Sequence, residues 1–278
     1  MVIEYSIVLD GRSHPVVISD EPEALLAAKA AGRAIIGVEG NGNKWNITCA
    51  HYIIPDFMSA SRELAELVLR RHLGLPWTIG TTGRLLIREF VKEDAGRIPE
   101  EEYGVEEKVF RSPELLAHYI EKQYGFYEYG TWALEEKGSG ALVGMAGVSN
   151  PRLPKDMEGM LSRFEAALSG AIDSGAALSG ASYSGPDKQG QEPCLPWLEL
   201  GYHIFRPFRH MGYAREAAAA IRDYAHEVLG ARLCAMIQTK NQASRAVAEG
   251  LGMECIGRMN IIGTGIQSSE EPLLYAER

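Results

Sequence analysis

The stretch Trp197-Leu198-Glu199-Leu200-Gly201-Tyr202-His203-Ile204-Phe205-Arg206-Pro207-Phe208-Arg209-His210-Met211-Gly212-Tyr213-Ala214 decides how the rest of the chain is read. Leu198 to Phe205 is an apolar and aromatic run of strand length. Pro207 and Gly212 break it, and the alanine-rich segment that follows has the composition of a long helix. A second strand is expected from Arg232 to Gln238, then Asn241-Gln242-Ala243-Ser244 and a short helix. A helix that opens directly after a glycine turn presents unsatisfied N–H groups and a positive dipole end, which suit a pyrophosphate. Gly212 and Ala214 are small enough for phosphate oxygens to reach the backbone. Arg206, Arg209 and Arg215 supply local positive charge.

Working outward, 278 residues suffice for one large domain or two ordinary ones. A hydrophobic fraction of 46% with 23% charged residues belongs to the globular class. The net charge of −9 argues against a general binder of nucleic acid or anionic membrane, both of which require an excess of Lys and Arg. The N-terminus has no basic segment leading into an apolar core, and no apolar run approaches the about 18 residues of a membrane span. A cytoplasmic location is therefore expected. Cys49, Cys194, Cys234 and Cys255 form no CxxC and read as reduced thiols filling space. The histidines lack HxxxH or HExxH spacing, so no metal site is expected.

Residues 1–77 read as a small α/β domain of Rossmann-like character. Strands are expected at Ile3–Leu9, Val16–Ile18, Ala34–Val38 and Tyr52–Ile54. Asp20-Glu21-Pro22-Glu23 signals a helix start, Gly32 its end, and Ser59 or Ser61 the cap of a second helix. Gly37 to Asn43 is glycine-rich but matches no phosphate-loop spacing and reads as a loop. Residues 78–278 form the second domain. Thr81 to Phe90 alternates like a strand, 97–108 is acidic, and Ser112-Pro113-Glu114 opens a helix. Two strands flank a glycine-bearing turn at Glu136–Gly140. A flexible insertion is expected at about 149–196, with a helix from Asp156 to Leu168. Ser-Gly then recurs every five residues from Ser169 to Gly185, leaving little apolar surface to offset ordering entropy in 169–194.

Arg209-x-x-Gly212-x-Ala214 resembles the coenzyme A signature Q/R-x-x-G-x-G/A of the GNAT acetyltransferase superfamily. Glu199-Leu200-Gly201-Tyr202 before it, Asn241-x-x-Ser244 and Leu251-Gly252-Met253 after it, and Arg84–Arg88 with Asp94-Ala95 upstream fit the same pattern in the same order. They resemble the branch that holds the ribosomal-protein N-terminal acetyltransferases. The resemblance covers about 80–278 without the insertion and leaves the N-terminal unit outside. It implies an α/β (α+β) fold with a mixed, mostly antiparallel central sheet, in which Leu198–Phe205 splays from Arg232–Gln238 in a V. It further implies acetyl-CoA as cosubstrate and no metal. The pantetheine would pair with backbone near His203, Ile204 and Phe205. The pyrophosphate would sit on main-chain N–H groups of Arg209, His210, Met211, Gly212, Tyr213 and Ala214, and Asn241 would bond the pantetheine. The acceptor would be a primary amine, small molecule or protein N-terminus, and a homodimer is an assembly the resemblance allows.

Acetyl transfer to an amine requires loss of an ammonium proton before attack and benefits from protonating the thiolate that leaves. Glu199, where this branch often carries a carboxylate, is the candidate base, and burial that raises its pKa would suit it. Its alternative is a strand glutamate in an ion pair. Many family members supply the acid from a tyrosine four residues beyond the serine of Asn-x-x-Ser, and here that residue is Ala248. Ser244 is the substitute candidate, and its alternative is a helix cap. Tyr202 and His203 are further candidates, with strand packing as the simpler reading. Glu216 matches a frequent family glutamate in the first helical turn. The missing tyrosine also keeps open a second class of function, a non-catalytic acyl-CoA-binding sensor.

Overall fold

The computed structural model describes residues 1–39, 47–99, 109–110, 112–168, 195–258 and 271–278. The far end of the Gly37–Asn43 loop, most of the acidic 97–108 stretch and the Ser-Gly repeats of 169–194 fall outside the described residues. The chain divides into two compact units. One comprises Met1–Thr78, Glu89–Ile98 and Tyr103–Glu128; the other comprises Ile79–Arg88, Pro99–Glu102 and Tyr129–Arg278.

The first unit is built on a four-stranded sheet in the order β1-β2-β3-β4, with β1 Val2–Leu9, β2 Arg12–Ser19, β3 Ala34–Val38 and β4 Tyr52–Ile54. The four expected strands are present. β2, β3 and β4 run parallel, as their connections predict, whereas β1 is antiparallel to β2. The reason is Asp10-Gly11, whose φ values of 49° and 75° make the two-residue hairpin that an Asp-Gly pair favours. Helix α1 (Pro22–Ala30) starts at its proline, with Glu21 rather than Asp20 in the cap position. Asp20 pairs with the N-terminal amine instead. Helix α2 (Arg62–His72) is capped by Ser61, whose Oγ accepts from Leu64 N at 3.0 Å. Its Ala65, Val68 and Leu69 join Ile7, Val16, Ile18 and Ile36 in one core. Helix α3 (Pro113–Tyr119) carries the expected Ser112 cap, widens into a π-helical turn over Ile120–Tyr124 and ends in a single turn, α4 (Gly125–Tyr127).

The second unit holds an eight-stranded sheet in the order β11-β12-β10-β9-β8-β7-β6-β5. The strands are β5 Thr78–Thr81, β6 Leu85–Arg88, β7 Thr131–Glu136, β8 Leu142–Ser149, β9 Trp197–Ile204, β10 Arg232–Gln238, β11 Glu254–Arg258 and β12 Pro272–Ala276. Pairs β6–β7, β7–β8, β8–β9, β10–β12 and β11–β12 are antiparallel, and β9–β10 is parallel. The mixed, mostly antiparallel sheet is as expected. In the β7–β8 turn the positive φ falls on Gly140. A parallel pair needs a crossover, and α6 (Tyr213–Glu227) supplies it between β9 and β10. Its buried stripe, Tyr213, Ala217, Ala218, Ile221 and Ala225, packs on β8, β9 and β10. Tyr224 of the same helix meets the fully buried Trp132 edge-on at 5.3 Å. Helix α5 (Lys155–Leu168) matches its expected span and buries Met157 and Leu161 against Cys234, Leu274 and Ala276. Helix α7 (Gln242–Gly250) follows β10.

Candidate active site

Two strands create the site by parting. β9 and β10 are in register only through Trp197↔Arg232, Leu198↔Leu233 and Glu199↔Cys234. Beyond Glu199, β9 stays paired with β8 as far as Gly144↔Ile204, and β10 stays paired with β12 as far as Gln238↔Pro272. Each strand is thus held on its outer edge while the inner edges separate. Leu200–Ile204 therefore presents backbone groups that the adjacent strand does not satisfy, and buried groups of that kind require another partner. A cavity of about 230 Å³ occupies the gap, lined by Leu200, Tyr202, Ala235, Ile237, Asn241 and Ser244 among others.

A second cavity, about 420 Å³, adjoins the turn into α6 and is lined by residues from Tyr202 to Ile204 and from Phe208 to Arg215, except Met211. Tyr202, Asn241, Ser244 and Val247 line both cavities. The turn reverses through His210 (φ 62°) and Gly212 (φ 84°). Gly212 is the N-cap of α6 and offers no side-chain acceptor, so the first-turn N–H groups remain open to an anion. Arg209 is tied to the strand end, its Nε donating to the Ile204 carbonyl at 2.9 Å.

Sequence reading left out what braces this turn. Glu216, in the first turn of α6, accepts from Thr82 Oγ1 at 2.5 Å, from Arg84 N at 2.8 Å and from Arg84 Nε at 2.8 Å. Arg84 also donates to the Met211 carbonyl at 2.8 Å and lies 4.4 Å over the Tyr213 ring. The Tyr213 hydroxyl donates to Glu136. Burial alone would raise the Glu216 carboxyl, but the bonds from Thr82 and Arg84 outweigh it and hold it below the usual range. The signal available beforehand was the pair of family-like residues, Arg84 and Glu216; nothing local in sequence links them.

Glu199 is half-buried, and burial pushes its carboxyl up; the Arg152 N–H at 3.4 Å and the Arg152 charge only partly oppose the rise. No side-chain ion pair to Glu199 is found among the described residues. Its register partner Cys234 is buried, and burial together with the Glu199 charge pushes that thiol up to about 12. Cys234 is therefore inert filler, as its sequence context suggests.

On α7 the cap is Asn241, whose Oδ1 accepts from Ser244 N at 3.1 Å. Asn241 thus spends its carbonyl oxygen on the helix, and Ser244 sits in the first turn with its hydroxyl free of the capping role. Across the gap stands Tyr202. Its phenol is raised by burial, with Ser244 opposing the rise, and its buried hydroxyl has no hydrogen-bond partner of normal geometry among the described residues. Ala248, at the position of the family's usual tyrosine, is buried in the same cavity wall. Strand alternation places Tyr202 on one face of β9 and Glu199 on the other. The structure brings together Tyr202, Asn241, Ser244 and the 208–214 turn; it sets Glu199 where the strands begin to part.

The gap fits an acetyl-CoA arm on two grounds: the open inner edge of β9, and the uncapped N-terminus of α6 behind a glycine with positive φ. Among the described residues no group of three or more His, Cys, Asp or Glu side chains could hold a metal ion. No helix among them is long and apolar enough to cross a membrane.

A family model described as "Acetyltransferase (GNAT) domain" matches residues 84–254. Among solved structures, an acetyltransferase (GNAT family) from Bacillus anthracis is 20% identical, with 70% of this chain and 95% of that chain covered and a TM-score of 0.43. A ribosomal-protein-S5-alanine acetyltransferase from Vibrio fischeri is 14% identical, with 73% and 96% covered and a TM-score of 0.47. A spermidine N-acetyltransferase chimera from Vibrio cholerae and hSSAT is 12% identical, with 69% and 94% covered and a TM-score of 0.43.

Proposed function

This chain belongs to the acetyltransferase (GNAT) family, and from that membership we propose that it transfers the acetyl group of acetyl-CoA to a primary amine, with Glu199 as base and the Tyr202–Ser244 pair as proton donor. The observation that carries this reading is the parting of β9 from β10 directly after Glu199, with Tyr202 and Ser244 lining the cavity that opens there. The backbone from His203 to Phe205 and the N–H groups of Arg209 to Ala214 would hold the pantetheine and pyrophosphate, with the amide of Asn241 beside them. Acetyl-CoA supplies an activated acyl carbon and a thiol leaving group.

The chain's own residues manage the protons. Glu199, made more basic by burial, takes one proton from the acceptor ammonium directly or through a water. As the amine nitrogen bonds to the acyl carbon and the C–S bond breaks, the Tyr202 hydroxyl gives a proton to the departing sulfur. The acceptor's second proton, passed back through Ser244, restores the phenol, and Glu199 releases its proton to solvent. Tyr202 does from the strand what the missing side chain at Ala248 does from the helix in many relatives.

A turnover screen with acetyl-CoA across protein N-termini, polyamines, aminoglycosides and amino acids tests this, alongside calorimetric titration of acetyl-CoA. Release of CoA with at least one amine is expected. Micromolar binding of acetyl-CoA without turnover of any amine would instead establish the sensor reading, which Ala248 favours.

A further inference from the structure

The first unit contains a cavity of its own, about 440 Å³ in volume, within the about 300–1,000 Å³ range of small-molecule sites. Ala34 and Ile35 of β3, Val68 of α2, Leu75, Phe90 and Ile120 give it apolar walls. Its floor holds a buried ion pair. The Arg71 guanidinium donates to Glu89, to the Tyr52 hydroxyl at 2.7 Å and to the Tyr124 carbonyl at 2.8 Å. Burial alone would lower the guanidinium, but its bonds to Glu89 outweigh this and keep it charged. The pair neutralises itself, so the floor contributes rigidity and no net charge.

The mouth is different. Lys29, Arg33 and Lys92 are solvent-exposed lining residues, and Glu121 is the one exposed carboxylate among the described lining residues. Lys29 donates to the Cys49 carbonyl at 2.8 Å, Arg33 pairs with Glu4 at 3.3 Å and Lys92 with Glu93 at 3.8 Å; all three are surface contacts weak enough to be exchanged for a ligand. A cationic rim on a chain of net charge −9 is a local reversal of the overall field. Ile120 and Glu121 come from a π-helical turn, a rare element that recurs at functional sites.

We propose that this cavity binds a small amphipathic organic anion, a carboxylate carried on a hydrocarbon or aromatic body. The apolar walls take the body, and Lys29, Arg33 and Lys92 take the charge. The same rim repels an ammonium, so the cavity is not the acceptor-amine site. The inference stands apart from acetyl transfer and is tested without it.

The full-length protein is titrated by calorimetry with octanoate, phenylacetate and octylamine, each with and without saturating CoA. Saturable binding of an anion, unaffected by CoA, and none of octylamine is expected. Lys29→Glu combined with Lys92→Glu should weaken the anion about tenfold, the size expected for reversing two solvent-exposed attractions. Ala117→Trp, at an exposed helix position lining the cavity, should abolish binding and leave the melting temperature unchanged. No saturation by either anion up to about 10 mM, displacement by CoA, equal affinity in the charge-reversed protein, or tighter binding of octylamine would each overturn the proposal.

Discussion

Glu199→Gln distinguishes a proton-accepting carboxylate from a structural one, because the two roles predict opposite signs for the fold. Burial holds this carboxyl above its ordinary range, and Arg152 offsets only part of the rise. Its ionised form is therefore less favourable in the folded chain than in the unfolded one. Below the ordinary carboxylate pKa, about 4.3, both states are protonated and the penalty is absent. It grows as pH rises and is complete above the raised folded pKa. Glutamine keeps the shape and cannot ionise. The variant should melt at the parent's temperature near pH 4 and above it near pH 7, by about the same margin at every higher pH. Activity should move the other way. Loss of a general base lowers kcat/KM about 10²–10⁴-fold, or about 2.7–5.5 kcal/mol of transition-state stabilisation. Acetyl-CoA affinity by calorimetry should stay within about twofold, and the acid limb of the pH–rate profile should disappear. A melting temperature that falls at pH 7 but not at pH 4, with kcat/KM within about tenfold of the parent, would refute the assignment and return Glu199 to an ion-pair role.

Tyr202→Phe should lower kcat about 10²-fold while leaving the melting temperature equal or higher, since it removes a buried hydroxyl with no partner; Ser244→Ala should show a smaller loss. Gly212→Ala forces a side chain into φ 84° with its Cβ 3.4 Å from Arg84 Nη2, and should cost about 1–2 kcal/mol in chemical denaturation together with a raised KM for acetyl-CoA. Glu89→Leu strands the buried Arg71 charge and should destabilise by about 3–5 kcal/mol, most of it regained on adding Arg71→Met; denaturant titration of both proteins checks the sign.

The strands and helices on either side of the turn at 206–212 could be read from sequence because their signals are local. Pro22 and Ser112-Pro113 mark helix starts, and of the two serines offered as the cap of α2 the structure uses Ser61. The same kind of signal was present in Asp10-Gly11, yet the strand reading passed over it, and with it the antiparallel place of β1. The turn itself was legible through Gly212, whose positive φ the structure shows. The candidate base was also legible, as a carboxylate at one position of a strand.

What no local pattern specified is where side chains distant in sequence meet. Arg84 and Glu216 are 132 positions apart, and only the pairing of β6 into the sheet below α6 lets them brace the turn before α6. Tyr202 looked like strand packing because sequence gives the face a residue occupies and not what it meets there; the fold sets Tyr202 in the same cavity wall as Ser244. Nor could composition reveal that Glu89 would pair with Arg71, or that 89–98 would gather with the first sheet around an apolar cavity. Sequence by itself determined most strands and helices up to α7 and the glycine turn before α6, but not β11 or β12, because dihedral preference, capping and periodicity act over a few residues. Tertiary structure alone decided the bracing of the turn by Arg84 and Glu216, the approach of Tyr202 to Ser244 and the buried ion pair, because each depends on contacts set by the whole fold at once.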